Sequence, residues 1–304
     1  MNQTTNQYAK LDTKSNIINY GLHMKANGRA ESTIERSLDI LTRLSKMCDL
    51  NNTQETKLAL ANLQWKNSTK NTTAGILKCY YKFIDIPFEK PKYAEERGLP
   101  FIPTEQELDI LIASGNPLTA TRLQILKETG ARIGEIDKLK WIDIDFKRKT
   151  IHITAEKGSN SRILPISTQL IDMLNRLPRK NDQVFQISKM SFRKTFDALR
   201  KRTMIKLNKP RLKSIHLHTF RHWKGTIEYH KTKDIIHVKT VLGHKNIEST
   251  MLYINIEFAL FLNASDEFTC KVAKNETQAQ QLIENGFEYV LTTPNQLMIF
   301  RKRK

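Results

Sequence analysis

Four of the nine prolines in this 304-residue chain fall between positions 87 and 103, in Ile86-Pro87-Phe88-Glu89-Lys90-Pro91-Lys92-Tyr93, Gly98-Leu99-Pro100 and Pro103. No helix survives that density of missing amide donors, and each residue before a proline is pushed toward extended backbone. The segment 86–103 therefore reads as an extended linker. The chain on either side is patterned for helices, so the sequence describes two bodies, each long enough for its own core.

The first body, 14–85, reads as a small helical domain. Ile17, Ile18, Tyr20 and Leu22 open one apolar pattern. Ile34, Leu38, Leu41 and Leu44 follow at intervals of three and four, after a capping-box-like Ser32-Thr33-Ile34-Glu35. A third helix around 54–64 carries Leu58, Leu60 and Leu63. A fourth near 69–84 carries Ile76, Leu77, Tyr80, Tyr81 and Phe83.

Beyond the linker, Thr104-Glu105-Gln106-Glu107 caps a new helix, and the chain to about 265 is mainly helical with one β insertion. Period-two alternation in Ile142–Phe146, Thr150–Ile153 and Arg162–Ile166, with a turn at Lys157-Gly158-Ser159-Asn160, gives a small antiparallel sheet. The last piece, 267–304, reads as strand, helix and two strands, ending in Arg301-Lys302-Arg303-Lys304.

Charge narrows the function. Fifty Lys and Arg against 31 Asp and Glu give a formal +19, which only adds self-repulsion unless a polyanion meets it. Nucleic acid is the usual partner, through release of counterions from its phosphates. An anionic membrane is the rival, but no strongly basic amphipathic helix or acylation motif stands out. Cys48, Cys79 and Cys270 are scattered and odd in number, as in a reducing compartment. With no stretch apolar enough for a signal peptide or a membrane span, the expected location is the cytoplasm, beside the chromosome in a cell without a nucleus.

Three local sequences carry chemistry. In Thr129-Gly130-Ala131-Arg132-Ile133-Gly134-Glu135, Gly130 can close one helix and Arg132 open the next. There a planar guanidinium and the amides of a helix start can face one phosphate. Glu135 either holds that guanidinium or forms a surface pair. In His218-Thr219-Phe220-Arg221, positions 218 and 221 share a helix face, a pairing suited to phosphoryl chemistry. His216, His218 and His222 also invite a zinc reading, but no Cys, Asp or Glu at ligand spacing completes such a site. In Leu242-Gly243-His244, Gly243 ends a helix, Asn246 can cap the next, and Tyr253 stands nine residues after the histidine. On its own Tyr253 would be an ordinary packed aromatic.

Taken in order, these sequences resemble the tyrosine recombinase, or phage integrase-like, family, Xer-like in its spacing. That family's pattern is Arg, a hairpin Lys, His-x-x-Arg, Leu-Gly-His and then Tyr. The counterparts are Arg132, Lys157, His218 with Arg221, His244 and Tyr253, and Glu156–Pro165 looks like the family's Lys-Gly turn leading to an Arg and a Pro. The likeness is close over 104–258, whereas 14–85 agrees with a helical core-binding domain only in architecture. Trp223-Lys224 departs from the smaller residues of many members, a change of packing and not of chemistry. The extension 267–304 resembles that of archaeal integrase-like members.

The resemblance implies a site-specific DNA recombinase, mainly α with a small antiparallel sheet, that needs no ATP, metal or other cofactor. It implies that Tyr253 attacks the scissile phosphate to leave a 3′-phosphotyrosyl link, with Arg132, Arg221 and His244 on the phosphate. Lys157 would protonate the departing 5′ oxygen and His218 would assist proton transfer. Double-stranded DNA would lie between the two basic bodies, and a homotetramer would act on two synapsed sites. The apolar segment 254–262 would either dock on a neighbouring protomer or pack within its own. The Arg-Lys-rich end of 267–304 would add DNA or protomer contact. Two alternatives stay open: a type IB topoisomerase, which a relaxation assay distinguishes, and a DNA-binding protein on a decayed integrase scaffold.

Overall fold

The computed structural model describes residues 12–95, 98–156, 158–186, 188–261, 268–293 and 296–303. The chain divides into two compact units, Met1–Gly98 and Leu99–Lys304. Among the described residues no helix is long and apolar enough to cross a membrane.

The first unit contains α1 (Thr13–Ala26), α2 (Glu31–Leu44), α3 (Thr53–Asn62) and α4 (Asn67–Phe83). Its core is built from one stripe of each helix: Ile17 and Tyr20, Leu41 and Leu44, Leu60, then Leu77, Tyr80 and Tyr81. Spacing decides membership. Ile17, Tyr20 and Met24 are three and four apart and buried, whereas Ile18 and Leu22 fall on the outer face and are exposed. Leu58 is exposed for the same reason. Asp12 and Asn52 cap α1 and α3 through their side chains. The expected cap at Ser32 is not formed, because α2 begins two residues earlier with Ala30 at its N-cap and no side-chain bond there. Past α4 the proline-bearing chain stays on this unit: the Phe88 ring stacks on Tyr81 at 4.6 Å, and Asn71 bonds both to the Tyr93 amide and to its carbonyl.

The second unit begins with α5 (Glu105–Ala113), α6 (Pro117–Thr129) and the short α7 (Ile133–Asp137). Thr104 and Glu107 form the expected capping box on α5. A three-stranded antiparallel sheet follows, β1 (Ile144–Asp145), β2 (Thr150–Ile153) and β3 (Arg162–Pro165), in the order β1-β2-β3. The first strand is shorter than its alternation suggests. Trp141–Asp143 winds into a 3-10 turn in which the Asp143 carboxylate accepts from the Lys140 amide at 2.9 Å. Then come α8 (Thr168–Asn175), α9 (Lys189–Lys206), α10 (Leu217–Thr232), α11 (Ile235–Leu242) and α12 (Glu248–Phe261).

Helix α6 runs through the middle of this unit. Leu123, Ile125 and Leu126 are fully buried, and so is Arg122, which pairs with Asp137 at 2.5 Å beneath the Phe185 and Phe192 rings. Residues 268–303 add β4 (Phe268–Ala273), α13 (Glu276–Glu284), β5 (Glu288–Thr292) and β6 (Met298–Arg303), matching the strand, helix and two strands read from the sequence.

Candidate active site

Helix α6 ends at Gly130 with φ at +60°, and α11 ends at Gly243 with φ at +69°. That left-handed backbone is what a glycine after a helix supplies at little cost. Each glycine turns the chain immediately ahead of a site residue. After Gly130, Arg132 is the N-cap of α7, its amide donating to Glu135 Oε2 at 2.9 Å. After Gly243, His244 is buried.

Arg221 joins the two junctions. From α10 its Nη1 donates to the Gly130 carbonyl at 2.8 Å and its Nη2 to the Leu242 carbonyl at 2.7 Å. These are carbonyls at helix ends, where the ladder leaves acceptors without intrahelical partners. Burial, and then the neighbouring Arg132, draw the Arg221 pKa down to about 10, so it keeps its charge at neutral pH.

Arg132 differs. Its guanidinium is about a quarter exposed, with a long 3.5 Å approach to Glu135. It lines a cavity of about 150 Å³ with Gly134, Glu156, Arg193 and His218. Of the two roles open to Glu135, neither a firm hold on that guanidinium nor a surface pair is seen: this is the longest contact the carboxylate makes. Glu135 is buried, and it accepts from Arg162 Nη2 at 2.9 Å and Ser159 Oγ at 2.6 Å. Burial raises its pKa, but the bonds from Arg162, Ser159 and the Arg132 amide outweigh that and leave it below the ordinary carboxylate range. Glu135 thus fastens α7 to the β2–β3 turn. The turn is latched again where the Asn160 amide donates to the Gly243 carbonyl at 2.9 Å. Lys157, in this turn, lies outside the described residues.

His218 lies one helical turn before Arg221. Its ring keeps solvent access, yet packed neighbours, and then the positive groups of His222, Arg221 and Arg132, hold its pKa down to about 4. His244 is lowered further, to about 3, by burial and then by Arg221, Arg132 and Arg162. Its Nδ1 is engaged with Thr250 Oγ1 at 2.9 Å, which leaves Nε2 as the ring nitrogen for a ligand. Among the described residues no three His, Cys, Asp or Glu side chains are grouped to hold a metal ion, His216, His218 and His222 included.

Tyr253 lies on α12, only 1% exposed, in a small cluster with Val238, Leu242 and Ile256. A Cβ at Gly225 would overlap its ring. Burial pushes the phenol up to about 12, while Arg221 and Arg132 pull the other way. Arg132, His218, Arg221, His244 and Tyr253 are thus brought together, with two guanidiniums and a phenol in one electrostatic neighbourhood. Such an arrangement can hold a dianionic phosphate centre and present an oxygen nucleophile to it. Ser159, Arg162, Thr250 and Gly225 serve the site but carry no catalytic signature in the sequence. Arg162 had a signal only as the arginine that follows the Lys-Gly turn.

Past the tyrosine, Ile256 is buried and the Phe261 ring stacks on His230 at 4.0 Å, whereas Phe258 and Leu260 are exposed. One segment therefore supplies both core and open apolar surface.

The model of the Phage integrase family matches residues 103–259. The tyrosine recombinase XerA of Pyrococcus horikoshii is 28% identical over 197 residues, covering 61% of this chain and 68% of that protein. XerA of Pyrococcus furiosus is 25% identical over 281 residues, covering 88% and 94%. In fold, the chain is similar to a lambda integrase tetramer solved on a Holliday junction, with a TM-score of 0.62 at 14% identity over 80% of each chain. A family match across more than half of its length makes this chain a member of the phage integrase family, the tyrosine recombinases.

Proposed function

We propose that this protein is a site-specific DNA recombinase that cuts and rejoins strands through a 3′-phosphotyrosyl intermediate on Tyr253. The observation that carries the reading is the convergence of Arg132, Arg221 and His244 on the neighbourhood of a tyrosine whose phenol, pushed up to about 12 by burial, is drawn back toward ionisation by Arg221 and Arg132. In this reading Arg132 and Arg221 hold non-bridging phosphate oxygens and meet the charge that builds in the transition state. His244, its Nδ1 occupied by Thr250, gives Nε2 to the same phosphate. Lys157 protonates the departing 5′ oxygen and His218 assists proton transfer near the phenol. The bond energy is kept in the phosphotyrosine, so rejoining requires neither ATP nor a metal ion.

The substrate is double-stranded DNA. The formal charge of +19 supports this, as does helix α9, where Arg193, Lys194, Arg200, Lys201, Arg202 and Lys206 face one acid, Asp197. Four copies on two synapsed sites are the working assembly, a reading supported by the lambda integrase tetramer of like fold. The 14–85 body serves as a second DNA-binding half. The test is a nicked suicide duplex analysed on a denaturing gel. The wild-type protein should form a covalent adduct and Tyr253→Phe should not, with DNA binding retained. An adduct undiminished in Tyr253→Phe would overturn the assignment.

A further inference from the structure

Residues 268–303 lie beyond the stretch matched by the family model. Their sheet runs β4-β6-β5, and strand alternation gives it two faces. One face is turned to α13: Phe300 and Ala273 are buried there, and Lys271 and Lys302 reach over the Phe287 ring. Among the residues whose side chains are described, the register puts two rows on the other face, Cys270–Arg301–Glu288 and Val272–Ile299–Leu291. The apolar row is open, with Val272 52% and Leu291 46% exposed in the presence of the whole chain. In the other row Arg301 Nε stands 3.6 Å from the Glu288 carboxylate.

So small a module is short of core, since chains below about 40 residues seldom bury enough to stand alone. Its open apolar face is the surface left to bury. The chemistry of that face selects the occupant. Surfaces that hold nucleic acid are polar and strongly basic, but this one is apolar along one row, and in the other its arginine already lies beside a carboxylate. An apolar row flanked by one acid and one base is complementary to itself. A two-fold axis would set the apolar rows together and bring Glu288 of each copy toward Arg301 of the other.

We propose that the open face of the β4-β6-β5 sheet packs against the same face of a second copy of this chain when both sit on DNA. The DNA clause rests on the recombinase reading above. Size is what makes DNA necessary. Three strands of about five residues present roughly 250 Å², against the roughly 800 Å² per partner of a stable interface. Free copies stay apart, and copies fixed side by side on one duplex meet at high effective concentration.

The test uses the full chain carrying Cys79→Ser, which leaves Cys270 as the exposed thiol among the described cysteines. Duplexes selected by the protein from a random pool are built as single sites and as inverted pairs, and a short bis-maleimide is added. A cross-linked dimer should form on paired sites and not in free protein or on single sites. Val272→Asp with Leu291→Asp should abolish it and lower occupancy of the second site at least about tenfold, with single-site affinity unchanged. The milder pair Val272→Thr and Leu291→Thr, which keeps strand propensity, should give an intermediate loss. Absence of the cross-link on paired sites, or unchanged paired-site occupancy in both variants, would overturn the proposal. So would an equal loss of single-site affinity, which would make the face a DNA contact. If the cross-link forms while Tyr253 yields no adduct on the same duplexes, the recombinase reading fails and the contact stands.

Discussion

The ring of Tyr253 rests directly on the backbone of Gly225, and no side chain fits between them. Helix α10 therefore sets the position of the phenol as well as those of His218 and Arg221. Gly225→Ala should push the ring out of place and slow adduct formation by about 100-fold, the scale of an ångström-sized misplacement at a reacting centre. Single-site DNA affinity should be retained. A quench-flow or manual time course on the suicide duplex measures this, and an unchanged rate would mean that Tyr253 moves away from Gly225 before it reacts.

Arg132→Lys keeps the charge and removes the planar fork. Among the described residues the Arg132 side chain has no partner closer than Glu135 at 3.5 Å, so its geometry is open to use on a phosphate. Cleavage should fall by about 100-fold or more, the order seen when a transition-state donor is lost. Cleavage near the wild-type rate would show that charge alone suffices at this position.

Glu135→Ala leaves the Arg162 guanidinium buried without its carboxylate and unties Ser159 from α7. Removing one partner of a buried pair costs about 3 kcal/mol or more. The loss should appear in urea unfolding followed by Trp223 fluorescence, with Trp65 and Trp141 replaced by Phe. A change below about 1 kcal/mol, the range of exposed pairs, would relegate the pair to the surface class.

Acid should destabilise the second unit partly through His244. Burial and the surrounding guanidiniums hold its folded pKa at about 3, below the ordinary value of 6.5. The unfolded chain thus binds the proton more tightly. The stability due to the neutral ring is complete above the ordinary histidine range and is lost as pH falls from about 6.5 toward 3. While only the unfolded chain is protonated, the slope is about 1.4 kcal/mol per pH unit for one group. Melting curves between pH 7 and 4.5 should fall less steeply in His244→Gln, and parallel curves would remove His244 from the account.

What could be read beforehand follows the range of the interactions. Gly130, Gly243, the capping box at Thr104 and the strand–helix–hairpin at the end of the chain are settled within a few residues, and the sequence shows them. Arg132, His218, Arg221, His244 and Tyr253 were legible because a family pattern orders them. The partners were not. Nothing near Glu135 announces Arg162, 27 residues away, and nothing near Tyr253 announces Gly225. Short-range reading also failed where two starts competed: Ser32 looks like a better cap than Ala30, yet α2 takes the earlier start. The strand expected from Ile142 gives way to a turn because Asp143 reaches the Lys140 amide.

Arg221 bonds to a carbonyl 91 residues before it and to another 21 residues after it. Contacts that distant form late, once the intervening chain has been made and folded. A ribosome working toward the C-terminus releases Arg132 long before Arg221, and Tyr253 after every other proposed catalytic residue. On the proposed mechanism, a chain abandoned before Tyr253 lacks the nucleophile and has no means of breaking DNA. The order of codons thus protects the genome from an unfinished copy of the enzyme.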